Sequence, residues 1–196
     1  MASELPVVVS AESIEEGADS IVYSNVTIVN ALLSGLLEIG EIAPNAIRSY
    51  YVDYYLAEVS NGGFAQFVVN SGLPDSLVEW VRDGLEGMDA HGHAALFERA
   101  VDAYQTLNDE EREGFLEGEF FGDSETRDIL EAVDDEFERI DDAEDLTELN
   151  AAWLTALPEL RVVPRAEVDD FVASRIALID GLEARRAAAE AGDPAE

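Results

Sequence analysis

An all-α fold, an irregular bundle of about seven to nine helices, is what this sequence predicts. Three observations carry that expectation. Apolar residues return at spacings of three and four along most of the 196 residues, the period of a helix with one buried face. No stretch alternates convincingly at the period of two that a hairpin needs, and no internal repeat is evident. Proline, glycine and asparagine stand at the breaks between the apolar stripes, where helices start and stop.

The first stripe runs through Ile14, Ala18, Ile21, Val22, Val26, Val29, Leu32, Leu33, Leu36 and Ile39, with Ser13 and Glu16 spaced as a capping box at its start. β-Branched residues between Ile21 and Val29 weaken its helix propensity. Pro44 opens the next helix, because a missing N–H is harmless in a first turn. That helix carries Ile47, Tyr50, Tyr51, Tyr54, Tyr55 and Val59, and its four tyrosines are expected in the core with their hydroxyls reaching the surface. Asn61-Gly62-Gly63 stops it, since these residues accept the left-handed backbone of a helix end. A short helix through Phe64, Phe67 and Val68 follows and ends at Ser71-Gly72.

Pro74-Asp75-Ser76 then opens a helix with Leu77, Trp80, Val81, Leu85 and Met88. Another runs from about Ala94 through Leu96, Phe97, Ala100, Val101 and Tyr104 to Leu107, leaving His91-Gly92-His93 as a polar turn. Asn108 or Asp109 caps a shorter helix with Phe115 and Leu116, and Ser124 caps one buried through Ile129, Val133, Phe137 and Ile140. Leu146, Leu149, Trp153 and Leu157 mark the next. Pro158 to Val163 reads as an extended connection, and Pro164 starts a last helix through Val168, Phe171, Val172, Ile176, Ile179 and Leu182. The organisation expected is an N-terminal helical segment (1–43) packed on a main helical domain (44–186), with a frayed tail (187–196).

Charge sets the functional classes. Asp and Glu number 44 against 11 cations, all arginine, a formal net charge of -33. A molecule so acidic is repelled by nucleic acid and anionic membranes and attracted to proteins that bind them. A bland origin competes: lysine-poor acidic surfaces also arise as halophilic adaptation. With 47% hydrophobic residues the chain has ample core and is no disordered acidic tail. It has no cysteine, which removes disulfides, thiol catalysis and zinc-thiolate sites. The N-terminus lacks a basic region ahead of its short apolar run, and no segment holds 18 uninterrupted apolar residues, so neither signal peptide nor membrane span is expected. The expectation is a soluble cytoplasmic protein.

The segment Val59-Ser60-Asn61-Gly62-Gly63-Phe64-Ala65-Gln66-Phe67-Val68-Val69-Asn70-Ser71-Gly72 resembles the Asn-Gly-Gly-Phe-x-Gln-x-x-x-Asn segment of a family of small all-helical bacterial proteins that includes a DNA mimic. Leu85-Glu86-Gly87-Met88 and His93 to Ala100 are similar to the helices that follow in that family, and the resemblance extends over about residues 44–180. It implies the helical fold, and it implies DNA mimicry through acidic positions outside this segment. The residues themselves point to a structural part for Asn61, Gly62, Gly63, Phe64, Gln66 and Asn70: two glycines allow a tight corner, and Gln66 and Asn70, four apart, place two amides on one helix face.

The acids are not spread evenly. Residues 83–148 hold 24 of them and four arginines, which is 20 of the 33 net negative charges in a third of the chain. The densest run is Glu125, Asp128, Glu131, Asp134, Asp135, Glu138, Asp141, Asp142 and Asp145. Like charges three or four apart on a helix destabilise it by a few tenths of a kcal/mol per pair, so such a row needs a partner or a solvation reason. Carboxylates about 5 Å apart approach the phosphate spacing of one DNA strand, and two rows, on adjacent helices or across a homodimer, match both strands.

The candidate face is therefore these nine acids, and the partner a basic DNA-binding protein such as a transcriptional regulator or nucleoid protein, with no direct nucleic-acid or membrane binding. Two alternatives fit the same charge: an immunity-type inhibitor of a basic toxin or nuclease, and a housekeeping domain with a halophilic-type surface. Two histidines without a third ligand make no metal site, and the run 134–145 lacks the spacing of a calcium loop. No phosphate loop, nucleophile elbow or dinucleotide fingerprint occurs. No cofactor and no enzymatic activity are expected.

Overall fold

The computed structural model describes residues 5–116 and 125–192; the side chains of residues 114–129, 131 and 192, and the N-cap expected at Ser124, lie outside the described residues. The fold is all-α. Ten helices occur among the described residues, beside one short pair of strands. They group into two units, residues 1–50 with 154–196, and residues 51–153.

In the first unit, β1 (Val7–Ser10) lies parallel to β2 (Leu160–Val163), Val7 opposite Leu160 and Ser10 opposite Val163. The stretch expected to be an extended connection is thus half of a sheet. Ser10, one residue past the predicted apolar run, caps α1 (Ala11–Glu16): its hydroxyl accepts the Ser13 N–H at 3.2 Å, while the Ser13 hydroxyl donates to the Ser10 carbonyl at 2.7 Å. Glu16 has no part in that cap. It and Glu12 take Arg165 instead, Glu16 its guanidinium at 2.8 and 2.9 Å and Glu12 its backbone N–H at 2.8 Å.

Gly17, at φ 108°, splits the first predicted stripe into α1 and α2 (Ala18–Ser34). The β-branched residues do not prevent helix here, because α2 buries Ile21, Val22, Ile28, Val29 and Leu32 and tertiary packing outweighs propensity. Asn25, buried among them, donates to the Ala46 carbonyl at 3.0 Å.

A 3₁₀ turn at Ile39–Glu41 precedes α3 (Pro44–Ser71). At the other end of the chain, α9 (Val168–Ile176) and α10 (Leu182–Gly192) are separated at Gly181, at φ 71°. Arg185 of α10 donates to both Glu41 oxygens at 2.6 and 3.0 Å and to the Leu36 carbonyl at 2.9 Å, fastening the C-terminal helix to that turn.

The second unit contains the Tyr51–Ser71 part of α3, α4 (Asp75–Gly87), α5 (His91–Gln105), α6 (Asp109–Leu116), α7 (Glu125–Asp141) and the start of α8 (Leu146–Ala156). Asn108 and Glu111 form a reciprocal capping box at α6, with bonds of 3.1 and 2.8 Å. The core is aromatic. Tyr55 meets Phe67, Phe97 and Phe137 edge-on with centroids 5.5, 5.3 and 6.1 Å apart, and Phe64 meets Phe67 and Phe97 at 5.6 and 6.0 Å. Tilted and edge-on contacts of this kind add about 0.5–1.5 kcal/mol per pair beyond the area buried. The Tyr55 hydroxyl is inside with its ring, not at the surface as its helical spacing suggested.

The Arg185 hydrogen bond, then the Glu38 N–H, hold the Glu41 carboxyl at about 2, below its usual 4.5. Its contribution to stability is therefore complete above the unfolded value and disappears as pH falls towards about 2. Glu41→Gln is expected to melt earlier than the parent at pH 7, and the gap in Tm should close steadily between pH 4.5 and 2.

Candidate functional site: an acidic cleft at a glycine corner

The corner of α3 is held by two carboxylates, Asp134, which the sequence placed on the outer acidic face, and Glu58, which it did not single out. Gly63, at φ 78°, turns the chain so that Phe64 begins a new helical stretch with its N–H groups free. Asp134 of α7 meets them: its Oδ1 accepts the Phe64 N–H at 2.7 Å. A Cβ at position 63 would come within 2.2 Å of Asp134 Oδ2, so glycine serves both the left-handed backbone and the close approach. Gln66 and Asn70 do share a bond, through a third residue. Both amides donate to Oε2 of Glu58, at 3.0 and 2.7 Å, which ties the helix after the corner to the helix before it. Asn61 is exposed and Phe64 is fully buried.

A second helix start is met in the same way. His91-Gly92-His93 is the first turn of α5 rather than a turn ahead of it. The carboxylate of Glu144 accepts the Gly92 N–H at 2.9 and 3.0 Å and the His93 N–H at 3.3 Å. His93 is fully buried, edge-on to Phe137 at 5.4 Å, and its Nε2–H donates to the Glu144 carbonyl at 3.0 Å. It is a core histidine. Among the described residues no three His, Asp or Glu side chains are grouped to hold a metal ion.

The nine predicted face residues therefore have different placements. Asp134 is half-buried at the corner, and Asp141 is half-buried with Oδ1 3.4 Å from His93 Nε2. Asp145 caps α8, its Oδ1 accepting the Glu148 N–H at 3.0 Å. Asp135, Glu138 and Asp142 are exposed and spaced three and four apart, and their carboxylates make no ion pair among the described residues, although Arg139 Nε–H donates to the Asp135 carbonyl at 3.3 Å. Glu125, Asp128 and Glu131 lie on α7, but their side chains are outside the described residues. Arg99 engages Glu136 on the same helix, and Arg82 reaches Glu98 at 2.9 Å.

Between the Val59–Gly63 turn and Asp134, Phe137, Glu138, Asp141 and Asp142 lies a cleft of about 540 Å³. Beside it, burial first, and then the charges of Asp134 and Asp141, push the Tyr55 hydroxyl well above the usual phenol range. The arrangement concentrates negative charge on an open wall.

Residues 40–157, more than half of the chain, match the family model described as DMP19-like protein. The chain belongs to the DMP19-like family. That assignment agrees at the family level with DNA mimicry, and the matched segment includes the glycine corner, the acidic cleft and the whole of α7. The strands of this DMP19-like chain and its last two helices lie outside the match. No curated protein and no solved structure matches it. None of its described helices is long and apolar enough to cross a membrane.

Two kinds of acid, on α7 and just past its end, call for opposite outcomes on substitution. Asp134→Ala removes a charge-assisted hydrogen bond and should cost about 1.5–3 kcal/mol, and Gly63→Ala should cost about 1–3 kcal/mol through its backbone conformation and the clash with Asp134. Glu138→Gln and Asp142→Asn should stay within about 0.5 kcal/mol of the parent. Urea unfolding of the four variants checks the division.

Proposed function

We propose that this DMP19-like protein works by binding rather than catalysis, as a DNA mimic that occupies the DNA-binding surface of a basic protein, a transcriptional regulator or nucleoid protein, in the cytoplasm. The observation that carries the reading is the exposed trio Asp135 and Glu138 on α7 and Asp142 just past its end, whose carboxylates make no ion pair with a described cation, set in the most acidic third of the chain. Successive carboxylates on one helix face recur at roughly 5–6 Å, close to the charge spacing along a DNA strand. A partner meeting them releases counterions from its own basic surface and gains encounter rate from opposite charge. Two such rows, one from each copy of a homodimer, would supply both strands.

A basic nuclease toxin is the second reading, favoured by the same trio, since its nucleic-acid channel presents similar cations. Halophilic acidity is set against both: it predicts loss of folding at 50 mM salt. Retained folding there counts for a partner-directed face.

The decisive measurement is competition. A DNA-binding protein captured at moderate salt and lost at high salt should be displaced from labelled DNA by the parent chain. Combined Asp135→Asn, Glu138→Gln and Asp142→Asn should weaken displacement by roughly tenfold or more with unfolding unchanged. Undiminished displacement by that variant would remove α7 as the mimic face.

A further inference from the structure

We propose that the cleft between α1, α2 and the start of α9 is a binding site for a neutral carbohydrate. The site is separate from the acidic face, and every residue lining it lies outside the matched residues 40–157. The cleft has a volume of about 620 Å³ and lies within the first unit, where both parallel strands end: Ser10 is the last residue of β1, and Arg165 follows β2 after Pro164. Open parallel sheets take their ligands at this end of the strands.

The hydroxyls of the wall point to a ligand. A hydroxyl has one hydrogen to donate and two lone pairs that accept. Ser10, only 4% exposed, takes the Ser13 N–H on one lone pair and is held in place by it, but its own hydrogen has no acceptor among the described residues. Ser24 is fixed in the same way. Its Oγ accepts the Ser10 N–H at 2.9 Å, and its hydrogen too has no acceptor among the described residues. A buried donor is nearly always satisfied, so Ser10 calls for an acceptor from the cleft that it lines, and Ser24 stands oriented beside it.

The remaining lining residues select the class of that ligand. On α2, Ser20, Tyr23, Ser24 and Thr27 follow at helical spacing and share one face. The Ser20, Tyr23 and Thr27 hydroxyls make no hydrogen bond among the described residues, so each can donate or accept. The Tyr23 ring is 72% exposed, an apolar plate at the cleft left largely uncovered. A pyranose offers the complement: hydroxyls that donate and accept around its edge, and a C–H face that packs on an aromatic ring. Charge decides against anionic ligands. Arg165 is already paired with Glu16 at 2.8 Å, and Asp169 leaves the wall net negative. In a chain of net charge -33 a phosphate or carboxylate is repelled.

The test uses the full chain labelled with nitrogen-15 and titrated to about 100 mM, a range that reveals millimolar affinities, with D-glucose, D-galactose, N-acetyl-D-glucosamine and maltose. Glucose 6-phosphate, cytidine and glycerol serve for comparison. At least one neutral sugar should give saturable shifts confined to residues 10–28 and 165–169, with glucose 6-phosphate and cytidine several-fold weaker and glycerol without effect. Tyr23→Ala should weaken that binding by roughly tenfold, and Thr27→Val by about two- to fivefold. Both variants should keep the parent Tm, because neither side chain is buried. Val69→Ala, at an exposed apolar residue of the other unit, should leave the affinity unchanged. No saturation by any of the four sugars, shifts matched by glycerol, tighter binding of cytidine or the phosphate ester, or full affinity in Tyr23→Ala would overturn the proposal. None of these readings involves DNA displacement, so the site stands or falls apart from mimicry.

Discussion

Two helices in residues 51–153 begin with their N–H groups facing neighbouring chain rather than water, and two carboxylates answer them. Asp134 holds the start that follows the glycine corner of α3, and Glu144 holds the start of α5. Each is an anion at the positive end of a helix, where charge and hydrogen bond act together. Between these fixed starts the rings of Tyr55, Phe64, Phe67, Phe97 and Phe137 close into one cluster. If either carboxylate released its helix, the ring contacts on that side would lose their register.

The same contacts show how α7 tolerates its charge. Neighbouring carboxylates on a helix repel, but a carboxylate that accepts backbone N–H groups regains more than a surface repulsion removes. The inward acids thus hold the fold and their neighbours one turn away remain free for solvent or a partner. Asp134 and Asp135 are adjacent in sequence and belong to different tasks. Neutralising the whole run at once would unfold the unit and imitate loss of binding.

Punctuation made much of the fold legible. Pro44, Ser71-Gly72 and Pro74 fall at element ends, and Asn61-Gly62-Gly63 at the kink inside α3, because their backbone preferences act locally. The stripe Val133, Phe137 and Ile140 faces inward for the equally local reason of period. The sorting of acids was not legible. Asp134, Glu138, Asp141 and Asp145 share one helical stripe, so spacing assigns them one role, whereas the approach of the α3 corner and the α5 start divides them. His93 looked like part of a polar turn because nothing near it in sequence reveals the Glu144 carbonyl that accepts its Nε2–H hydrogen bond. The strands escaped for a related reason: four residues leave too little alternation, and their partner stands some 150 positions away.

That separation also bears on the order in which the chain can fold during synthesis. Residues 51–153 are contiguous, and their contacts are all available once α8 has begun to emerge. β1, made first, has no strand to pair with until residues 160–163 exist, and Arg165 and Arg185 arrive later still to meet Glu16 and Glu41. Pairings of such high contact order form slowly and leave their edges open while they wait. The fully apolar Val7-Val8-Val9, buried in the folded chain, therefore has no strand to pair with until residues 160–163 have been made.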